Sequence, residues 1–189
     1  IGSQFWGVEA AVRYDTRDDL WNPKGGSRYE GTLNWGRVET GEVRRSRRQF
    51  AVLLAHFVPT GGRSVAAVSL RAEGVMQSGR VPPEARLRLG GSATIRGHRE
   101  EAFLATQASW MNLEWRLLLG RRSRAFLFAD LGALKESGTD GGGAWLLPVG
   151  YGAGLRLESR MGQIGLDYGL ARGESPGQGK VHLRVANEF

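Results

Sequence analysis

The sequence predicts an all-β antiparallel fold and favours a transmembrane β-barrel over a soluble β-sandwich. Three observations support this prediction. Apolar residues recur at every second position over long stretches, helical spacing is nowhere sustained, and the polar face of the alternating segments carries full charges. A period of two is the strand period, and a barrel wall directs apolar residues to lipid and polar residues to its lumen. A sandwich also alternates, so it stays open as the alternative on pattern alone.

About nine strands follow one another in the order of a meander. In the first strand every second residue from Trp6 to Tyr14 is apolar, and clusters of Gly, Pro, Asn, Asp and Ser separate the later segments, as turns require. The predicted strands cover residues 4–14, 28–35, 49–58, 66–73, 111–119, 124–134, 149–158, 163–170 and 181–189. Aromatic residues near strand ends are typical of the girdle at a membrane interface. They are Trp6, Tyr14, Trp35, Trp110, Tyr151 and Tyr168.

Composition limits the classes of function. The 189 residues include 29 glycines, 23 arginines, three lysines and no cysteine, and the net charge is +7. Without cysteine there is no disulfide framework and no thiolate metal site. Most arginines are spread along the chain, so no nucleic-acid partner is expected. No serine-hydrolase elbow or HExxH motif is present, and the sequence predicts a non-enzymatic protein with no catalytic residue, metal or cofactor.

One glycine-rich segment interrupts the alternation. The stretch LRLGGSATIRGH, residues 87–98, carries an arginine at its centre. It resembles the loop signature of the bacterial surface-antigen superfamily, the outer-membrane assembly barrels of the BamA and TamA type, in which a Gly-Gly pair leads to a V/I-R-G-F/Y tetrapeptide. The matching residues are Gly90, Gly91, Ile95, Arg96, Gly97 and His98. His98 stands where the family usually has an aromatic residue.

Further segments resemble the same family in the same order. YDTRDDLWNPKGG at residues 14–26 resembles a strand-turn signature, NLEWR at 112–116 and FADLG at 128–132 resemble the strands after the loop, and GQIGLDYG and VHLRVANEF resemble the closing strands. The resemblance implies that residues 1–189 are the C-terminal part of an outer-membrane barrel domain, because family barrels have sixteen strands. A small barrel that closes on its own with eight or ten strands is the alternative.

The resemblance also implies roles for individual residues. The loop, about residues 79–107, folds back into the lumen, where Arg96 reaches Glu114 and Asp130 on the inner wall of the next two strands. One guanidinium can serve two carboxylates, because it presents five donors in a fixed fork. In the family the last strand closes the barrel, with Leu183 and Val185 facing lipid here. The residues assigned to this closing strand are Leu183, Val185 and Phe189.

The family inserts or translocates proteins at the bacterial outer membrane, and the resemblance implies this localisation and function. The partners implied are outer-membrane lipid, lipopolysaccharide, client outer-membrane or secreted proteins, and periplasmic POTRA repeats or accessory subunits. A basic cluster in a predicted surface loop suits lipopolysaccharide phosphates, because a guanidinium matches phosphate oxygens; a solvated loop is the alternative. The cluster comprises Arg44, Arg45, Arg47 and Arg48. Alternative functions are a passive pore or structural barrel, or the barrel carrier of a patatin-type lipase.

Overall fold

The computed structural model describes residues 3–40, 43–136, 143–160 and 162–186. These residues form one antiparallel sheet of eleven strands, and two 3₁₀ turns are their only helical segments, at Pro83–Ala85 and Pro176–Gln178. The strands are β1 (Ser3–Asp15), β2 (Gly26–Thr40), β3 (Val43–Gly61), β4 (Ser64–Gln77), β5 (Leu87–Leu89), β6 (Phe103–Leu118), β7 (Arg124–Glu136), β8 (Trp145–Leu146), β9 (Val149–Ser159), β10 (Gly162–Ala171) and β11 (Lys180–Ala186). No helix in the described ranges is long and apolar enough to cross a membrane. The predicted all-β antiparallel fold is confirmed.

Nine of the strands form a continuous meander, as predicted. The order is β1-β2-β3-β4-β6-β7-β9-β10-β11, while β5 and β8 are short strands that pair with β6 and β7. The pairing of β1 with β2 runs without interruption from Asp15↔Arg28 to Ser3↔Thr40. Sequence neighbours therefore pair with each other, and the two faces of the sheet follow from the alternation of side chains along each strand.

The two faces differ in burial and polarity. We call the face that carries Glu114 and Asp130 the inner face, and the opposite face the outer face. On β7, Asp130 is fully buried on the inner face, whereas Leu127 and Leu131 are exposed on the outer face. The same contrast holds on β11, where Leu183 is 70% exposed. An exposed apolar face opposite a polar inner face is the arrangement that a barrel wall in lipid requires.

Trp110 does not belong to the aromatic girdle, and that prediction was wrong. It is 3% exposed and packs with Ile95 and Leu134 in a buried cluster on the inner face. The reason is its position in β6, because even-numbered residues here, Asn112 and Glu114 among them, face inward. The other five predicted girdle residues are all exposed.

The described sheet has β1 and β11 as its edge strands. β11 pairs with β10 through seven residue pairs, from Gln163↔Ala186 to Gly169↔Lys180, and no described residue of β1 pairs with it. Leu183 and Val185 are exposed, as expected for lipid-facing positions. Phe189 lies outside the described residues. The ring of strands that the small closed barrel requires is not formed by the described residues.

Candidate functional site

The long loop between β4 and β6 begins after Gln77 and ends before Phe103. Its C-terminal end comes earlier than the predicted residue 107, because β6 already begins at Phe103. After the short strand β5, the chain turns sharply at Gly90 and Gly91, whose φ angles are +107° and +86°. Such left-handed angles favour glycine. The turn is closed by a hydrogen bond from the Gly91 amide to the carbonyl oxygen of Ile95, 3.2 Å long, and Ile95 is fully buried.

Arg96 binds both carboxylates that the sequence predicts as its partners. Its Nε donates to Asp130 Oδ2 and its Nη2 to Asp130 Oδ1, both at 2.8 Å, while its Nη1 donates to Glu114 Oε1 at 2.6 Å. The backbone amide of Arg96 also donates to Asp130 Oδ2, at 2.8 Å. The two carboxylates lie on β6 and β7, so this one side chain ties the loop to two neighbouring strands.

Additional contacts surround this ion cluster. Asn112 donates from Nδ2 to Asp130 Oδ1 (2.8 Å) and to the carbonyl oxygen of Thr94 (2.7 Å), and Arg116 donates to the second oxygen of Glu114. The Arg96 guanidinium carbon lies 3.8 Å from the ring centroid of Phe128, a cation–π contact. Each carboxylate is therefore satisfied by more than one donor, as buried charges require.

The charge of Arg96 is retained in spite of its burial. Burial by itself lowers the pKa of Arg96, but the hydrogen bonds that Arg96 donates to Asp130 and the negative charge of Glu114 outweigh it and raise the pKa above its ordinary value. The side chain is only 5% exposed and that of Asp130 is fully buried. The pair is thus an ionic contact that is almost completely shielded from solvent.

Gly97 brings the loop backbone against the sheet. Its φ is +84°, and a Cβ there would lie 2.5 Å from the carbonyl oxygen of Leu170 on β10. On the sheet side, Gly150 and Gly169 leave room for the backbone of Arg96 and Gly97. These wall glycines were not predicted, although alternation along β9 and β10 places both on the inner face.

His98 packs where the family usually has an aromatic residue. Its ring meets that of Phe103 edge-on, with centroids 5.0 Å apart, and Nε2 lies 3.3 Å from the carbonyl oxygen of Val149 on β9. Burial lowers the pKa of His98, and the hydrogen bond to Val149 opposes that shift without cancelling it. The neutral imidazole therefore serves as a packing ring here.

The end of the loop also reaches β11. Glu100 Oε1 lies 3.2 Å from His182 Nδ1, and the same oxygen accepts a 2.8 Å hydrogen bond from the Ser92 amide. Arg184 Nη2 donates to Ser92 Oγ at 3.2 Å. Sequence reasoning missed these contacts, since Ser92 and Glu100 carry no recognisable motif. The loop thus spans the inner face from β6 to β11.

A second buried ion pair lies in the wall beside the loop. Arg156 on β9 and Asp167 on β10 are both buried, and Arg156 Nη2 donates to Asp167 Oδ2 at 2.7 Å. A Cβ at Gly165 would collide with the Arg156 side chain, so glycine provides its space. Opposite charges at inner positions of adjacent strands were visible in the sequence, but their pairing was not predicted.

The basic cluster of residues 44–48 lies in β3 and not in a loop, so that prediction was wrong. Backbone pairing with β2 continues through it, with Arg48 opposite Trp35 and Arg44 opposite Glu39. Arg44 and Arg48 are on the outer face, where Arg44 pairs with Glu39 at 3.0 Å and the Arg48 guanidinium lies 5.3 Å from the Trp35 ring centroid. The other two members of the cluster, Arg45 and Arg47, face inward. The four arginines therefore form two separate pairs.

Comparison with known proteins agrees with the fold. The sequence profile of the Omp85 superfamily domain matches residues 3–189. The structure is similar to a crystal structure of BamA from Haemophilus ducreyi lacking POTRA domains 1–3, with a TM-score of 0.74 and 13% sequence identity; the match covers 92% of this chain and 40% of that one. Comparison with curated proteins gives no match. Within the described residues, no group of three or more His, Cys, Asp or Glu side chains could hold a metal ion.

Proposed function

Since the chain belongs to the Omp85 superfamily, we propose that its barrel assists the insertion or translocation of other proteins at the outer membrane. The protein is a bacterial outer-membrane β-barrel protein of BamA-like fold. Its family comprises transport and assembly proteins, not enzymes. The clients proposed are outer-membrane or secreted proteins, and the further partners proposed are periplasmic POTRA repeats or accessory subunits.

The observation that carries this proposal is the span of the loop across the inner face. One part of the loop is fixed to β6 and β7 through Arg96, and its end contacts β11 through Glu100 and Ser92. A passive barrel has no need for a loop that is anchored to the wall by a buried ionic cluster and also contacts an edge strand. A barrel whose edge strand opens and closes does need such a connection, because the strand has to return to one position after each event.

The proposed templating element is β11. Its inner neighbour is β10, and no described strand pairs with its other edge. An unpaired edge presents backbone N–H and C=O groups to which an incoming strand can bond. In hydrocarbon each unsatisfied group costs several kcal/mol, so an edge of β11 that is released from its partner strand in the barrel favours pairing with a client strand.

Reconstitution tests this function. The full-length protein is placed in liposomes, a urea-denatured outer-membrane barrel protein is added, and folding of the client is followed by its heat-modifiable migration on a gel. The wild-type protein is expected to accelerate folding, and Arg96→Ala to lose most of that acceleration. Arg88→Ala is the matched control, since Arg88 lies in the same loop but forms an exposed ion pair with Glu101. Equal acceleration by empty liposomes would refute the proposal.

Lipopolysaccharide is the proposed lipid partner, through Arg44 and Arg48 on the outer face of the β2–β3 hairpin. Arg48 lies against Trp35, an exposed aromatic residue of the kind found at membrane interfaces. Guanidinium groups at that level match phosphate oxygens. Arg44→Gln/Arg48→Gln is expected to reduce co-purification of lipid A, whereas unchanged association would remove these two residues from the proposal.

A further inference from the structure

A separate cavity of about 660 Å³ lies between the inner face of the β2–β3 hairpin and the first part of the long loop. None of the groups that bind Arg96 lines it. On the strand side its lining is Val38, Arg45, Arg47, Gln49, Val75 and Gln77, and on the loop side it is Pro82, Glu84, Ala85, Arg86 and Leu87. The cavity therefore joins the tip of a long hairpin to a segment that the Arg96 site does not use.

The lining is strongly basic. It contains the three guanidinium groups of Arg45, Arg47 and Arg86 and a single carboxylate, Glu84. Each guanidinium donates only to neutral oxygens: Arg45 to the Arg80 carbonyl at 3.3 Å, Arg47 to the Gln77 side chain at 2.8 Å, and Arg86 to the Val81 carbonyl at 3.2 Å. In the described part of the chain none of the three forms an ion pair, in contrast to Arg96.

One nitrogen atom of these guanidinium groups is buried without a partner. Nη2 of Arg86 is inaccessible to solvent and has no hydrogen-bond acceptor. A guanidinium with an unpaired buried donor and no carboxylate partner is destabilising, and the negative charge of an oxyanion in the cavity would offset its positive charge. The neighbouring side chains of Gln49 and Gln77 add neutral polar groups to the same lining.

We propose that this cavity is an anion site that binds a phosphate-bearing group. The lining carries three positive charges and one negative charge, a net charge of +2 that matches the double negative charge of a phosphate. A guanidinium fork fits two phosphate oxygens at once, which an ammonium group does not. The volume exceeds that of one phosphate, so a diphosphate with bridging waters fits. This proposal is independent of the proposed insertion function, because it depends only on the residues that line the cavity.

The outer face of the same hairpin provides a control. Arg37 lies on β2 with an exposed side chain, next to the inward-facing Val38, and does not line the cavity. Replacing it removes a positive charge from the hairpin without changing the lining. A general loss of positive charge and a loss of the site are therefore distinguishable.

The test is calorimetric titration of the folded full-length protein, in detergent and phosphate-free buffer, with inorganic pyrophosphate. The wild-type protein is expected to bind about one equivalent, more weakly as the salt concentration rises, since screening weakens charge contacts. Arg45→Gln/Arg47→Gln should weaken binding at least tenfold, and Arg37→Gln less than twofold. Arg86→Gln should also weaken binding at least tenfold. Because Arg86 lies in the loop and not in a strand, this variant tests the site even if the double variant does not fold.

Two outcomes overturn the proposal: no saturable binding by the wild-type protein, or an equal loss in the inner-face and outer-face variants. A second arm identifies the source of the phosphate. Lipopolysaccharide in nanodiscs is added to the protein loaded with pyrophosphate, beside a dephosphorylated sample. Displacement by the phosphorylated sample alone assigns the site to lipopolysaccharide phosphates, and retention of pyrophosphate assigns it to a free phosphate compound.

Discussion

Replacing Arg96 with alanine should open the loop without unfolding the barrel wall. The substitution removes the bidentate contact with Asp130, the bond to Glu114 and the stacking on Phe128. Breaking a buried pair by removing one partner costs about 3 to 5 kcal/mol. Asp130 keeps its hydrogen bond from Asn112, and Glu114 keeps Arg116, so the lower end, about 3 kcal/mol, is expected. That corresponds to roughly a hundredfold increase in the opening equilibrium of the loop.

Hydrogen exchange in detergent micelles measures this opening directly. Amides of residues 90–102 should exchange about a hundredfold faster in Arg96→Ala than in the wild-type protein, while those of β2 and β3 stay unchanged. Arg88→Ala removes an exposed pair, worth about 0 to 1 kcal/mol, and should change the loop rate by no more than about fivefold. Asp130→Ala added to Arg96→Ala should cost less than the sum of the two single changes, because the pair is coupled. Equal exchange in Arg96→Ala and Arg88→Ala would refute the assignment of Arg96 as the anchor.

Three other substitutions test the remaining loop contacts. Gly97→Ala should displace the loop from β10 and raise the sensitivity of the loop to protease, because φ is positive and the added methyl would lie 2.5 Å from a carbonyl oxygen. Gly177→Ala is the control and should have neither effect, because the space around Gly177 is open. Burial lowers the pKa of His98 below 6.5. The neutral ring therefore stabilises the closed loop fully above about pH 6.5, and this stabilisation decreases as the pH falls below that value. In His98→Phe the exchange rate of the loop amides should lose this part of its pH dependence. Glu100→Gln should speed exchange in β11, measured beside Glu101→Gln, and equal rates in these two variants would exclude the contact of the loop with that strand.

Alternation explains why the partners of Arg96 were predictable. Once β6 and β7 were recognised as strands, the period of two placed Glu114 and Asp130 on one face, and the resemblance supplied the direction in which the loop folds. The contact between Glu100 and His182 was not predictable in this way. It depends on the path of the loop after Gly97, which no spacing in the sequence encodes.

The two wrong predictions have related causes. Trp110 was assigned to the girdle because it lies near a strand end, although its parity in β6 directs it inward to Ile95. The arginines of residues 44–48 were predicted in a surface loop because the topology of the resembled family implies one there. The continuous ladder with β2 keeps them in a strand, where Trp35 and Glu39 offer outward partners. In both cases the alternation of side chains along the strand predicts the orientation of the residue correctly, whereas its position near a strand end or in a charged run does not.

The inner wall next to the loop is unusually rich in glycine, and this has a consequence for the barrel. Gly150 and Gly169 leave room for the loop backbone, and Gly152 and Gly154 leave room for the phenylalanine rings of β7 on which Arg96 stacks. Each glycine in a strand costs roughly 0.5 to 1 kcal/mol relative to alanine, so β9 and β10 are intrinsically weak. Their stability then depends on the loop that covers them. Opening the loop in Arg96→Ala should therefore raise exchange in β9 and β10 before it affects β3 and β4, and the strands that loosen first are those next to β11.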